Sequence, residues 1–342
     1  TADHAFLRQP TRLDAIRRED GGAAWSIDLG DPGQEGPTAL AAPGLVVAAD
    51  SRGRLIALDP AQGHELWRRR LDEPTVHRVL LWEYGLVAAT ASPATVRVLN
   101  PFDGTTVFQA ADRHATGTPL VALDSRTRLC YAMGSTLGCY DGAAGHALWR
   151  DRVANFTAKR LWADGPVVVA HGSDHRGQEA LECRRIATGG ALWARSMARG
   201  ETLQRLALDG DALYAVTRRA ARTLARRLES STGEVVWTRE LATGEDFADW
   251  EPSAAALCLG VTATDERGEQ QAQLAAIDKL TGAVRQIVPL GPGQLRSLSR
   301  VGDALYAVVE DRLFEQRARF GIAGIRPGEP PRFRIVRILA TP

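Results

Sequence analysis

The sequence predicts an all-β fold, a β-propeller built from four-stranded blades. Three observations carry that expectation. A motif recurs at a nearly constant period, each period contains short apolar or alternating segments separated by glycine turns, and almost no stretch of the 342 residues sustains helical periodicity. The motif reads Ala57-Leu58-Asp59-Pro60-Ala61-Gln62-Gly63-His64-Glu65-Leu66-Trp67. It returns as Cys139 to Trp149, Cys183 to Trp193 and Arg227 to Trp237, with weaker copies running from Gly21 to Trp25, Gly104 to Phe108 and Gly282 to Gln286. The anchoring glycines, Gly21, Gly63, Gly104, Gly145, Gly189, Gly233 and Gly282, are separated by 42, 41, 41, 44, 44 and 49 residues.

Each part of the motif has a physical role. The residues before the glycine form a short apolar strand, as in Arg54-Leu55-Ile56-Ala57-Leu58. The Asp or Asn that follows accepts backbone N–H bonds in the turn, and the glycine supplies a positive φ. The aromatic residue four positions later lies on the returning strand, where a large flat ring can wedge between adjacent sheets. A second hairpin stands upstream of each copy, for example Val79 to Ala89 around Gly85 and Leu206 to Val216 around Gly210. Four strands in about 40–45 residues make one blade. Six complete blades are flanked by two strands in front (12–18 and 23–28) and by a last segment, Leu295–Leu339, with room for four. Eight blades are expected, seven being the alternative, with the N- and C-terminal segments sharing the closing blade and residues 1–342 forming a single domain.

The A-x-D-x-x-T-G-x-x-x-W pattern resembles the tryptophan-docking repeat of the pyrroloquinoline-quinone-type propellers. The resemblance covers about residues 12–310. That family includes quinoprotein alcohol dehydrogenases, sensor propellers and a cofactor-free lipoprotein of the outer-membrane β-barrel assembly machine. The resemblance implies a bacterial protein with a periplasmic or other extracytoplasmic lean; it is specific for fold and not for activity. A quinone-dependent oxidoreductase of the family carries a vicinal Cys-Cys pair and an acidic metal site. This sequence has neither a Cys-Cys pair nor an acidic cluster that can be matched to that site.

Composition narrows the function further. Lys+Arg is 42 against Asp+Glu 41, a net charge of +1, which argues against a dedicated nucleic-acid binder. No apolar run is long enough to span a bilayer as a helix. There is no G-x-S-x-G, H-E-x-x-H, Walker A or EF-hand pattern, so no catalytic residue and no cofactor is assigned. None of the four cysteines is spaced C-x-x-C. Cys130 and Cys139 fall on two strands around a Gly-Ser turn, where they lie nearly opposite each other, either within disulfide reach or as two small buried hydrophobes.

Candidate sites come from the repeat register. The four longest connections, Asp28–Pro37, His171–Gln178, Glu240–Pro252 and Thr264–Gln270, are expected on one face. In the third of them Glu245, Asp246, Phe247, Asp249 and Trp250 form either a protein-binding surface or a plug over the inner strands. His171, Asp174 and His175 place two imidazoles and a carboxylate within five residues, a weak metal-site candidate beside the reading of a polar loop. Arg78, Arg160, Arg205 and Arg296 fall on first strands beside the central channel, where they either converge on an anion or pair with acids of neighbouring blades. The leading expectation is a non-enzymatic scaffold that binds a protein partner through one loop-rich face. The alternative is a propeller that senses or transforms an anionic small molecule at the channel.

Overall fold

The computed structural model describes residues 3–8, 11–29, 38–42, 44–49, 54–71, 76–115, 117–124, 127–220, 222–241, 246–252, 256–301, 304–310 and 333–339. Every regular element among them is a strand, and the fold is an all-β propeller of eight antiparallel sheets. The chain divides into two compact units, Thr1–Ser196 and Met197–Pro342.

The first unit holds five sheets. One takes β1 (His4–Arg8), β2 (Arg12–Arg17) and β3 (Ala23–Asp28); the next takes β4 (Thr38–Ala42), β5 (Leu45–Ala49), β6 (Arg54–Leu58) and β7 (Glu65–Arg70). The third is built from β8 (Val76–Trp82), β9 (Gly85–Ala91), β10 (Ala94–Leu99) and β11 (Thr106–Asp112). The fourth has β12 (Leu120–Leu123), β13 (Arg128–Met133), β14 (Thr136–Asp141) and β15 (His146–Arg152), and the fifth β16 (Phe156–Asp164), β17 (Val167–Asp174), β18 (Glu179–Arg185) and β19 (Ala191–Ser196).

The second unit holds three sheets. They are β20 (Glu201–Asp209), β21 (Ala212–Arg219), β22 (Arg222–Glu229) and β23 (Val235–Glu240); β24 (Asp246–Pro252), β25 (Ala256–Thr264), β26 (Gln270–Asp278) and β27 (Val284–Pro292); and β28 (Gln294–Val301), β29 (Ala304–Glu310) and β30 (Phe333–Leu339). All eight are meanders in chain order.

The end segments differ in detail from the sequence reading. The N-terminal segment contributes three strands, because His4 to Arg8 pairs antiparallel with Arg17 to Leu13 and sets Phe6 5.8 Å from the Trp25 ring. The C-terminal segment contributes three described strands; residues 311–332 lie outside the described set. Each of these two sheets draws its described strands from one end of the chain only.

Burial follows position in the blade. The middle strands are covered on both faces, so β5, β9, β10 and β14 are buried over nearly their whole length and read as continuous apolar runs instead of alternating ones. The last strand of each sheet is largely exposed, as in β7 and β23. First strands pack on one another along each unit, β4 against β8, β12 against β16 and β24 against β28.

Two repeated details explain the motif. In seven sheets the pairing onto the last strand shifts by one residue just before the aromatic position, so that Ala57 opposes Trp67 while Leu58 opposes Glu65, and Leu66 bulges out. The bulge re-aims the following ring. Trp67 then lies on Gly104 of the next sheet and donates from Nε1 to the Pro101 carbonyl at 2.8 Å. Trp25 does the same on Gly63 and Pro60, Trp149 on Gly189 and Ile186, and Trp237 on Gly282 and Lys279. Each glycine sits at φ near +70°, and a Cβ there would approach within 3 Å of the ring. Phe108 has no N–H to donate; it stacks on Tyr140 at 4.3 Å, and no atom lies within 4 Å of where a Gly145 Cβ would be.

Candidate functional site

The segment Glu240–Pro252, expected as a long loop, is mostly a strand. Glu240 ends β23, residues 242–245 with Glu245 lie outside the described set, and Asp246 opens β24, the first strand of its sheet. Trp250 is 8% exposed and packs with Tyr214, Val216, Leu257 and Leu259, with Phe247 partly buried against the same cluster. A bulge at Ala248 gives these two aromatics, three residues apart, one shared face. The long 233-to-282 spacing is absorbed by nine-residue strands β25 and β26, where β5 and β6 have five residues each. Thr264–Gln270 is likewise a tight turn between β25 and β26. In Asp28–Pro37, residues 30–37 lie outside the described set.

The first-strand arginines do not form one equivalent set. Arg78, Arg160 and Arg205 each follow a one-residue bulge and oppose Ala89, His171 and Val216 four residues before the end of the strand. The residue after the bulge in β24 is Asp249, and in β28 it is Ser297; Arg296 is itself the bulged residue. Arg205 Nε donates to Asp249 Oδ1 at 3.4 Å, and the Leu298 amide donates to Asp249 Oδ2 at 3.1 Å. Arg296 is paired with Glu310 on β29. Arg205 and Arg296 are therefore engaged by carboxylates of their own unit, the first by one from the neighbouring blade.

The three candidate metal-binding residues have separate roles. His171 is a buried strand residue on β17, 3% exposed, with Nε2 3.1 Å from Glu179 Oε2 and no hydrogen-bond partner for Nδ1 among the described residues. Burial holds its imidazole below the ordinary range, against the opposing pull of Glu179. Asp174 closes the turn, its Oδ1 accepting from the amides of Arg176 and Gln178. His175 is exposed and accepts a 3.3 Å bond from Arg176. The same turn is built at Asp265, whose Oδ1 accepts from the amides of Arg267 and Glu269, with Gly268 in the place of Gly177. Asp-x-Arg-Gly is thus a turn sequence used twice, and His175 occupies the position held elsewhere by Glu266.

Concavity is found at a place the sequence reading only bordered. Two adjoining cavities of about 410 and 270 Å³ share Ser135, Arg152 and Thr157. They are built from three consecutive blades where second-to-third-strand turns and blade-to-blade connections emerge, and His114, Arg150 and His175 complete their exposed polar wall. Asp112 is fixed by a 2.6 Å bond from Thr136, which holds its carboxyl below the usual range; Arg152 Nε reaches Ser135 Oγ at 3.2 Å. Asn155, on the β15–β16 connection lining the smaller cavity, takes φ +58°, an uncommon left-handed conformation for a residue with a side chain. The short Gly134-Ser135 and Val153-Ala154-Asn155 connections carried no motif, so only the packing of the two sheets brings them together.

The family model described as outer membrane protein assembly factor BamB matches residues 10–135 and 133–316. Among solved structures, BamB from Moraxella catarrhalis is similar at a TM-score of 0.56 and 17% identity, over 90% of this chain and 91% of that one. The quinohemoprotein alcohol dehydrogenase from Comamonas testosteroni is similar at a TM-score of 0.52 and 11% identity, over 90% of this chain and 69% of that one. At such identities the likeness is one of fold. No curated protein matches the chain in sequence.

Proposed function

Because this chain belongs to the family of outer membrane protein assembly factor BamB, we propose that it is a non-enzymatic scaffold, a single propeller domain that binds a protein partner within a larger bacterial envelope complex. The partner sits on the blade edge formed by the Gly134-Ser135 turn, the 153–155 connection and the Asp174–Gln178 turn. The observation that supports this reading is the pair of adjoining polar cavities on that edge, carried on rigid strands and offering the donors of Arg150 and Arg152. Membership of the family supports an extracytoplasmic location for the complex. An anionic small molecule held by the first-strand arginines would have to displace Asp249 from Arg205 and Glu310 from Arg296.

The test is site-specific photocrosslinking in cells. A crosslinker at position 152 or 175 is expected to capture one discrete protein. A crosslinker at exposed Gln62, on a turn between third and fourth strands and so at the opposite end of a blade, is expected not to. Arg152→Glu should weaken the capture from position 175. Equal capture from position 62, or none from 152 and 175, would overturn the assignment.

A further inference from the structure

We propose that Cys130 and Cys139 form a cross-strand disulfide, a covalent modification made while the chain folds. The two residues are direct partners in the β13–β14 hairpin, and their Sγ atoms lie 2.9 Å apart. That is inside van der Waals contact for two sulfurs and outside a bond of about 2.05 Å. The register puts the pair where a bridge fits. The Gly142 amide donates to the Thr127 carbonyl at 2.8 Å, so residues 127 and 142 form a hydrogen-bonded pair. Alternation along the ladder then makes Cys130 and Cys139, three steps nearer the turn, a non-hydrogen-bonded pair. In such pairs the Cα atoms are about 4.5 Å apart, within the range that disulfides span. Gly134 at φ +59° occupies the first central position of the two-residue turn and sets this register.

The surroundings settle when the bond forms. Both side chains are fully buried, and Val168 and Ile186 close over them. An oxidant cannot reach the sulfurs in the finished fold, so the exchange precedes docking of the β16–β19 sheet. One thiolate attacks the disulfide of a thiol–disulfide oxidoreductase or of oxidised glutathione, giving a mixed disulfide and releasing one thiolate. The second cysteine then displaces the other sulfur. The two thiols lose two electrons and two protons, and the disulfide of the oxidant is reduced to two thiols. Cys183 and Cys258 stand on other sheets and remain reduced.

The chain is produced in an oxidising compartment, quenched with acid, unfolded and alkylated without reductant. Residues 129–150 contain no internal Lys or Arg, so trypsin releases both cysteines in one peptide. The expected result is a peptide two hydrogens lighter than the dithiol and carrying no alkyl group, while Cys183 and Cys258 are fully alkylated. A doubly alkylated 129–150 peptide from folded protein overturns the proposal. Cys139→Ser gives an independent reading: it should turn Cys130 from unalkylated to alkylated, and Cys130 alkylated equally in both proteins overturns it as well. No partner enters this test, so its outcome is separable from that of the scaffold assignment.

Discussion

Arg205 and Asp249 occupy the same place in consecutive blades, each the residue after a first-strand bulge, and their side chains meet at 3.4 Å. Asp249 does more than neutralise the arginine. Its second oxygen accepts the amide of Leu298 on the following blade, so one carboxylate ties three first strands together.

This arrangement predicts an asymmetric mutant pair. The Arg205 side chain is 46% exposed, so Arg205→Ala should lower stability by no more than about 0.2–1 kcal/mol. Asp249→Ala also strands the Leu298 amide and should cost about 1–3 kcal/mol. Urea titration of both single variants and the double variant checks this. Equal losses from the two single changes would show that the Leu298 contact is not a stabilising one.

Tryptophan docking predicts a difference between two glycines of identical backbone. Gly104 and Gly145 sit at φ +70° and +73°, so alanine at either is expected to cost about 1–2 kcal/mol for the left-handed conformation. At Gly104 the new methyl would also lie 2.8 Å from the Trp67 ring, whereas at Gly145 it meets nothing within 4 Å. Gly104→Ala should therefore be the more destabilising in a thermal melt. Trp67→Phe, which keeps a flat ring but removes the bond to Pro101, should lose about 1 kcal/mol. If Gly145→Ala proves as damaging as Gly104→Ala, the ring contact contributes nothing.

Burial of His171 predicts a pH dependence. The folded imidazole titrates below its ordinary value of 6.5 because desolvation disfavours the cation, so the unfolded chain binds the proton first. The stabilisation is complete above the unfolded value and is lost as pH falls from there through the folded value. Denaturant midpoints of the wild type measured downward from pH 7.5 should decline in that window, and His171→Gln should flatten that part of the curve. Glu179, Arg160 and Lys159 also act on this imidazole, the carboxylate raising its pKa and the two cations lowering it. An unchanged slope in the variant would assign the decline to other groups.

Much of the fold was legible in the chain because the constraints are local and repeated. A turn glycine must adopt positive φ, an Asp or Asn before it caps the turn in several copies, and the ring four residues on must find a flat surface; these requirements write themselves into adjacent positions at most periods. The six middle blades are found where the repeat places them, whereas β1 was not expected because His4-Ala5-Phe6-Leu7-Arg8 carries no turn signal of its own.

The site was less legible, for reasons visible in particular residues. Asp246 to Trp250 read as a loop because a bulge at Ala248 breaks the two-residue alternation that identifies a strand. Arg296 stands with Arg78, Arg160 and Arg205 on first strands, but a place on the strand does not show which residue is bulged out. The repeat, the turns and the docking tryptophans are specified within a dozen neighbouring residues and are read from the chain directly. That Asp249 binds both Arg205 and Leu298, that Trp250 is core, and that Ser135, Arg152 and Thr157 line common cavities follows from how the sheets pack. Those relationships join separate blades, and the packing of one sheet on the next leaves no signal at fixed spacing along the chain.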